Sequence, residues 1–275
     1  MQDFIIYQIK AAVIMAVFYM FFRLFLSKET FHRFNRIVLL GTTLASCILP
    51  LCVITINSKL YASRGNETES WMQLFSESDT TMQAAGHEWY ITLWNLFCNN
   101  ILPITYIAGC AVVLGKILLS GYKVCKIIRD GERVSVKNGN TLILSKKNIS
   151  PFSWFKYIVI NTDDYYSSIN NGMEQIMLHE KAHIQMRHSY DILFADMVSV
   201  LQWFNPALWM LKSDLRAIHE FEADDKVLSQ GVNVKQYQYL LIKKAVGASG
   251  YSIANSFNHS TLKNRITMML QTKSS

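Results

Sequence analysis

Three long apolar runs constrain the fold of this chain more than any other feature. Phe4 to Leu26 is broken only by Lys10 and Arg23. Ile37 to Ile56 holds no charge, and Tyr90 to Leu119 holds only Lys116. At 1.5 Å per residue, each is long enough to cross a hydrocarbon core about 30 Å thick. The composition agrees, with 51% hydrophobic and 17% charged residues. The first run does not read as a signal peptide, because no small-residue cleavage site follows it and a second span comes almost at once. Pro50 and Pro103 are expected to bend any helix that contains them.

The basic residues set the expected sidedness. Arg23, Lys28, Arg33 and Arg36 sit in or beside the link between the first two spans. Lys116, Lys123, Lys126, Arg129, Arg133 and Lys137 crowd the end of the third. The loop 57–89 carries only Lys59 and Arg64, against Glu67, Glu69, Glu77, Asp79 and Glu88. The amino terminus and this loop are therefore expected outside, and the first link and everything after 120 in the cytoplasm. Most of the formal +7 charge lies on membrane-adjacent segments. It reads as topology and contact with anionic lipid, not as direct nucleic-acid binding. Cys47, Cys52, Cys98, Cys110 and Cys125 form no disulfide framework and no zinc spacing, and are expected to act as small buried hydrophobes. Asn66-Glu67-Thr68 matches a glycosylation sequon, a pattern short enough to arise by chance.

After residue 120 the pattern changes. Arg133 to Lys137 alternates, Asn138-Gly139-Asn140 turns, and Thr141 to Leu144 resumes, which predicts a hairpin. Tyr157 to Ile160 predicts a further strand. No proline or glycine interrupts Met173 to Leu201, and Asn170 or Asn171 is a candidate cap for a helix starting there. Asp191 to Phe204 is too short to span a bilayer and reads as a core helix. Pro206 opens another helix, ended by Gly231, and Lys235 to Val246 predicts one more. Gly247 to Ser260 is polar and reads as a loop.

His179, Glu180 and His183 form an HExxH motif. On a helix, histidines four apart share a face and can reach one zinc ion, with Glu180 beside them to take a proton from water there. A third ligand is needed, and the run from Ala217 to Asp225 offers His219, Glu220 and Glu222. Glu220 and Asp224 lie four apart on one face. One carboxylate can bind the metal while the other holds a ligating histidine through its second ring nitrogen. His219 points about 100° away from Glu220. Glu222 and Asp225 are expected on the solvated face.

HExxH followed by ExxxD, with Trp203-Phe204-Asn205-Pro206 and Trp209 between them, resembles the gluzincin-like BlaR/MecR family of integral-membrane regulatory metallopeptidases. Pro151-Phe152-Ser153 and Leu262 to Met269 fit similar elements. The resemblance implies an α+β membrane protein. Three transmembrane helices (1–119) would precede a mostly helical gluzincin-like metallopeptidase domain with a small β-sheet (120–275). It implies zinc on His179, His183 and Glu220, Glu180 as the catalytic base, and Asp224 behind a histidine ligand. It further implies a multi-pass protein of the cytoplasmic membrane, cutting a cytoplasmic substrate such as a transcriptional repressor, itself, or both. Tyr190, His188, Arg187 and His259 are candidates to stabilise the oxyanion. The Ser256-Phe257 bond is the expected site of self-cleavage. Receptors of this family carry a fourth span and often a sensor domain after the protease. Neither falls within these residues, so beta-lactam sensing is not expected here. The competing expectations are a housekeeping membrane protease of the HtpX type and a receptor or scaffold with a vestigial zinc site.

Overall fold

The computed structural model describes residues 2–27, 29–52, 93–94, 96–135, 139–167, 172–248 and 255–271. The chain is mostly helical, with one small mixed sheet and three helices long and apolar enough to cross a membrane. The expected outer loop 57–89 lies outside the described residues.

Helix α1 (Gln2–Phe25) and α2 (His32–Ile48) form the first two spans. Pro50 does not bend α2 but sits in the 3-10 turn Leu49–Leu51 that ends it. Pro103 lies in the first turn of α3 (Leu102–Asp130), into which a π turn, Phe97–Ile101, runs without a break. The third span was expected to end at Leu119, but α3 continues eleven residues further, to Asp130. Its last turns are apolar on one side, and Val124, Ile127 and Ile128 pack against the sheet.

That sheet has strand order β1-β2-β4-β3. Strands β1 (Glu132–Ser135) and β2 (Thr141–Ser145) make the expected antiparallel hairpin. Strand β4 (Tyr157–Asn161) runs parallel to β2, and β3 (Phe152–Trp154) pairs with β4 as the edge. Both central strands are apolar at every middle position because both faces are covered. Leu142, Leu144, Ile158 and Ile160 face α5 (Met173–Gln185) through Met173 and Met177. Ile143 and Val159 face α3. A short helix, α4 (Thr162–Ser167), follows β4.

The stretch 173–201 divides at Arg187, whose φ of 59° is left-handed. Helix α5 ends there and α6 (His188–Leu201) starts in a new direction. The cap on α5 is Gly172, not an asparagine, with φ 103°. A Cβ at Gly172 would press on the far end of the Leu240 side chain at 2.7 Å, and the left-handed φ favours glycine there. Asn205 caps α7 (Pro206–Leu228), its Oδ1 accepting from the Ala207 N–H at 3.0 Å, with Pro206 at the first helical position. Two more helices follow, α8 (Val234–Ala248) and α9 (Asn255–Leu270). The expected loop 247–260 is thus partly helical, and Ser256 and Phe257 lie in the first turn of α9.

One core joins the spans to the later helices. Tyr19 and Phe22 of α1 and Leu39 of α2 pack with Ala195 of α6 and with Ala207, Leu211, Leu215 and Ile218 of α7. The Tyr19 hydroxyl donates to Asp214 at 2.9 Å, and Gln202 donates to the Gln8 carbonyl at 3.1 Å. The third span approaches at Gly109, where a Cβ would collide with the Trp203 ring. The cysteines are not the buried hydrophobes expected: Cys52 and Cys125 are exposed and the other three half-buried.

Candidate metal centre

Helix α5 runs beneath the sheet and carries His179, Glu180 and His183, of which His179 and Glu180 are buried. Helix α7 crosses it and brings Glu220 to the same point. His179 Nε2 lies 3.1 Å from His183 Nε2 and 3.4 Å from Glu220 Oε2. His183 Nε2 lies 3.5 Å from Glu220 Oε1. A tetrahedral zinc ion with bonds of about 2.0–2.1 Å holds its ligand atoms about 3.3 Å apart. Two imidazoles and one carboxylate at that spacing fit such an ion, with one position left open. Among the described residues, this is the one His/Cys/Asp/Glu group that converges in this way.

The electrostatics put a proton on His179 and leave His183 neutral. Burial disfavours a charged His179, but its hydrogen bonds to Asp224 and Glu220 outweigh that and push its pKa up to about 9. Burial and the neighbouring His179 charge bring His183 down to about 3. Glu220 would be raised by burial, yet the His179 hydrogen bond and the Arg265 charge hold it well below the usual carboxylate range. Glu180 is raised, chiefly by burial, with His179 and a hydrogen bond to Ser153 pulling it down. A raised carboxyl beside a metal position suits a group that must accept and then return a proton. Ser153 belongs to strand β3, so Glu180 ties the HExxH helix to that strand.

Behind His179 stands a second layer. Asp224 Oδ1 lies 3.2 Å from His179 Nδ1, and the Tyr237 hydroxyl donates to Asp224 at 2.8 Å while contacting His179 Nδ1 at 2.9 Å. Arg265, reaching over from α9, donates to both Asp224 oxygens at 2.6 and 2.8 Å and pairs with Glu220 at 2.8 Å. Glu220 and Asp224 thus both reach the His179 ring, Asp224 on its Nδ1 side. Tyr237 and Arg265 carried no sequence signal as part of this site, beyond Arg265 falling in the Leu262 to Met269 segment.

Other expectations change. Glu222 is not solvated: it is 3% exposed, bound to His188 at 2.8 Å and to Arg36 at 3.2 Å. Asp225 is exposed, as expected. His219 is turned away from the metal position and meets Asp191 at 2.8 Å. Of the oxyanion candidates, His188 is buried behind His183, while Arg187 and Tyr190 are exposed, Tyr190 edge-on to Phe155. The His259 side chain lies outside the described residues.

A family model described as BlaR1 peptidase M56 matches residues 4–269. A curated relative, the regulatory protein BlaR1 of Staphylococcus aureus, is 29% identical over 87 residues. That stretch is 31% of this chain and 15% of the relative.

Metal and proton compete for His179, which gives a pH signature. Below about 9 the metal-free ring carries a proton that binding must displace. Calorimetry in buffers of different ionisation enthalpy is expected to find close to one proton released per zinc at pH 7. Affinity should fall about tenfold per unit as pH drops below 9. The metal-free fold has the opposite preference. The raised pKa stabilises it fully below the ordinary value of 6.5, and that gain is lost as pH rises through about 9. Zinc binding without proton uptake or release at pH 7 contradicts this picture.

Proposed function

This chain belongs to the BlaR1 peptidase M56 family, and on that premise we propose that it is a membrane-anchored, zinc-dependent endopeptidase that cleaves a regulatory protein in the cytoplasm. The observation that carries the reading is the convergence of His179, His183 and Glu220 at zinc-ligand spacing, with Glu180 beside them. Bound zinc would polarise the scissile carbonyl and make water acidic enough to lose a proton near neutral pH. Glu180 takes that proton and delivers it to the leaving amine. Asp224 and Tyr237 orient His179, and Arg265 holds the Glu220 and Asp224 carboxylates in place.

The edge strand supports a peptide substrate. Among the described residues, strand β3 pairs on one side only, with β4, and its Ser153 reaches Glu180. An extended peptide adding to its outer edge would lie across the metal position, held by main-chain bonds. A transcriptional repressor is a fitting substrate class for a relative of a regulatory protein. Cleavage of the chain itself at Ser256-Phe257 would first require unwinding the start of α9, so a separate protein is the better candidate. The basic residues flanking α1, α2 and α3 support a multi-pass protein with 120–275 on the cytoplasmic side of the membrane and 57–89 outside.

Two measurements test this. Purified protein is expected to hold one zinc per chain. Glu180→Gln should keep the metal and lose about 10²- to 10⁴-fold in proteolysis, the usual share of a general base, whereas Glu220→Gln should lose most of the metal. Retention of zinc by Glu220→Gln would remove it from the ligand set. For sidedness, an impermeant thiol reagent on intact cells should label Ser78→Cys and spare the exposed native Cys125. Labelling of Cys125 alone would reverse the topology and rule out a cytoplasmic substrate.

A further inference from the structure

His179 is backed by a carboxylate, but His183 is backed by another histidine. His183 Nδ1 lies 2.7 Å from His188 Nδ1. His188 Nε2 lies 2.8 Å from Glu222 Oε2, and Arg36 Nη1 lies 3.2 Å from the same oxygen. Two facing ring nitrogens bond only if one carries a proton and the other does not. With Nε2 turned to the metal position, neutral His183 carries its proton on Nδ1 and donates to His188. His188 then carries its own proton on Nε2 and donates to Glu222. This arrangement satisfies each nitrogen with both rings neutral, and it ends on a carboxylate, as metal-bound histidines usually require.

Arg36 has a second arm. Its Nε donates to Asp191 Oδ2 at 2.7 Å, and His219 Nε2 meets the same oxygen at 2.8 Å. The His219 ring stacks flat on His188, with centroids 4.0 Å apart and planes 11° apart. Arg36 Nη2 also donates to the Met186 carbonyl, at the turn between α5 and α6, at 2.6 Å. One guanidinium therefore fixes the carboxylate that His188 binds, the ring it stacks on, and the turn that aims it. None of these side chains is more than 18% exposed.

We propose that Arg36, on the second membrane-crossing helix, is a positioning residue for the metal centre. Through Glu222 and His188 it holds His183 in its metal-binding orientation, so the seating of α2 against α7 sets metal affinity. The inference rests on the zinc reading above. A purely structural ion-pair cluster would contribute to folding but leave the affinity of the folded protein alone, and that difference is measurable.

The test is the zinc dissociation constant of the full chain in detergent, by chelator competition, with the thermal midpoint of the metal-free protein measured alongside. Glu222→Gln, which removes a charge at constant volume, and His188→Ala are expected to weaken zinc binding about 10- to 100-fold. Arg36→Lys keeps the charge but cannot fork to two carboxylates, and should weaken it less. Adding Arg36→Lys to Glu222→Gln should cost little more, since both act through one chain of bonds. Asp196→Asn breaks a different ion pair, with Lys212, and should lower the midpoint without changing affinity. Zinc binding within twofold of wild type in both Glu222→Gln and His188→Ala overturns the inference and leaves the zinc reading standing. A wild-type protein with no stoichiometric zinc overturns both.

Discussion

Two carboxylates of α7, Glu222 and Asp224, are taken out of water and a third on the same helix, Glu220, is half-buried, and much of the surrounding structure follows from that. Glu222 and Asp224 are 3% and 2% exposed, and Glu220 has lost most of its contact with solvent. A buried charge without a partner is costly enough to unfold a domain. Each of these has one. Glu220 and Asp224 share Arg265 from the far end of the described chain, and Glu222 has Arg36 from near its beginning. The two arginines come from opposite sides of α7 because the carboxylates do. Residues 220 and 224 share a face, while 222 lies about 200° around the helix from 220.

That geometry makes the spans and the peptidase helices one body. Leu39, Tyr19 and Phe22 pack directly on α7, a few turns before Glu220. The third span continues into the sheet that covers α5. Among the described residues, α1 and α2 pack directly on α7, and α3 packs on the sheet that covers α5.

Much of this was legible in the sequence. Apolar runs marked the spans, alternation with a turn marked the β1-β2 hairpin, and a short apolar run marked β4. Helical spacing paired His179 with His183 and Glu220 with Asp224, while the meeting of the two pairs was implied by the family resemblance. The failures share a cause. Glu222 is read as solvated because an acidic face is read so unless something covers it. Here the cover is α2, 186 positions away in sequence. The extension of α3 to Asp130 depends on burial against the sheet, which local charge does not reveal. The break at Arg187 needs a left-handed residue that is neither glycine nor asparagine, so no composition rule marks it. Arg265 and Tyr237 are ordinary helix residues until tertiary contact sets them against Asp224.

X-ray absorption at the zinc edge tests the central claim most directly, because it reads the ligands without relying on activity. Two imidazole nitrogens and oxygen donors at about 2.0–2.2 Å, with the outer-shell scattering of histidine rings and no sulfur, are expected. That spectrum should lose the signature of one ring in His183→Ala. A sulfur donor near 2.3 Å, or a first shell without imidazole, would contradict the account.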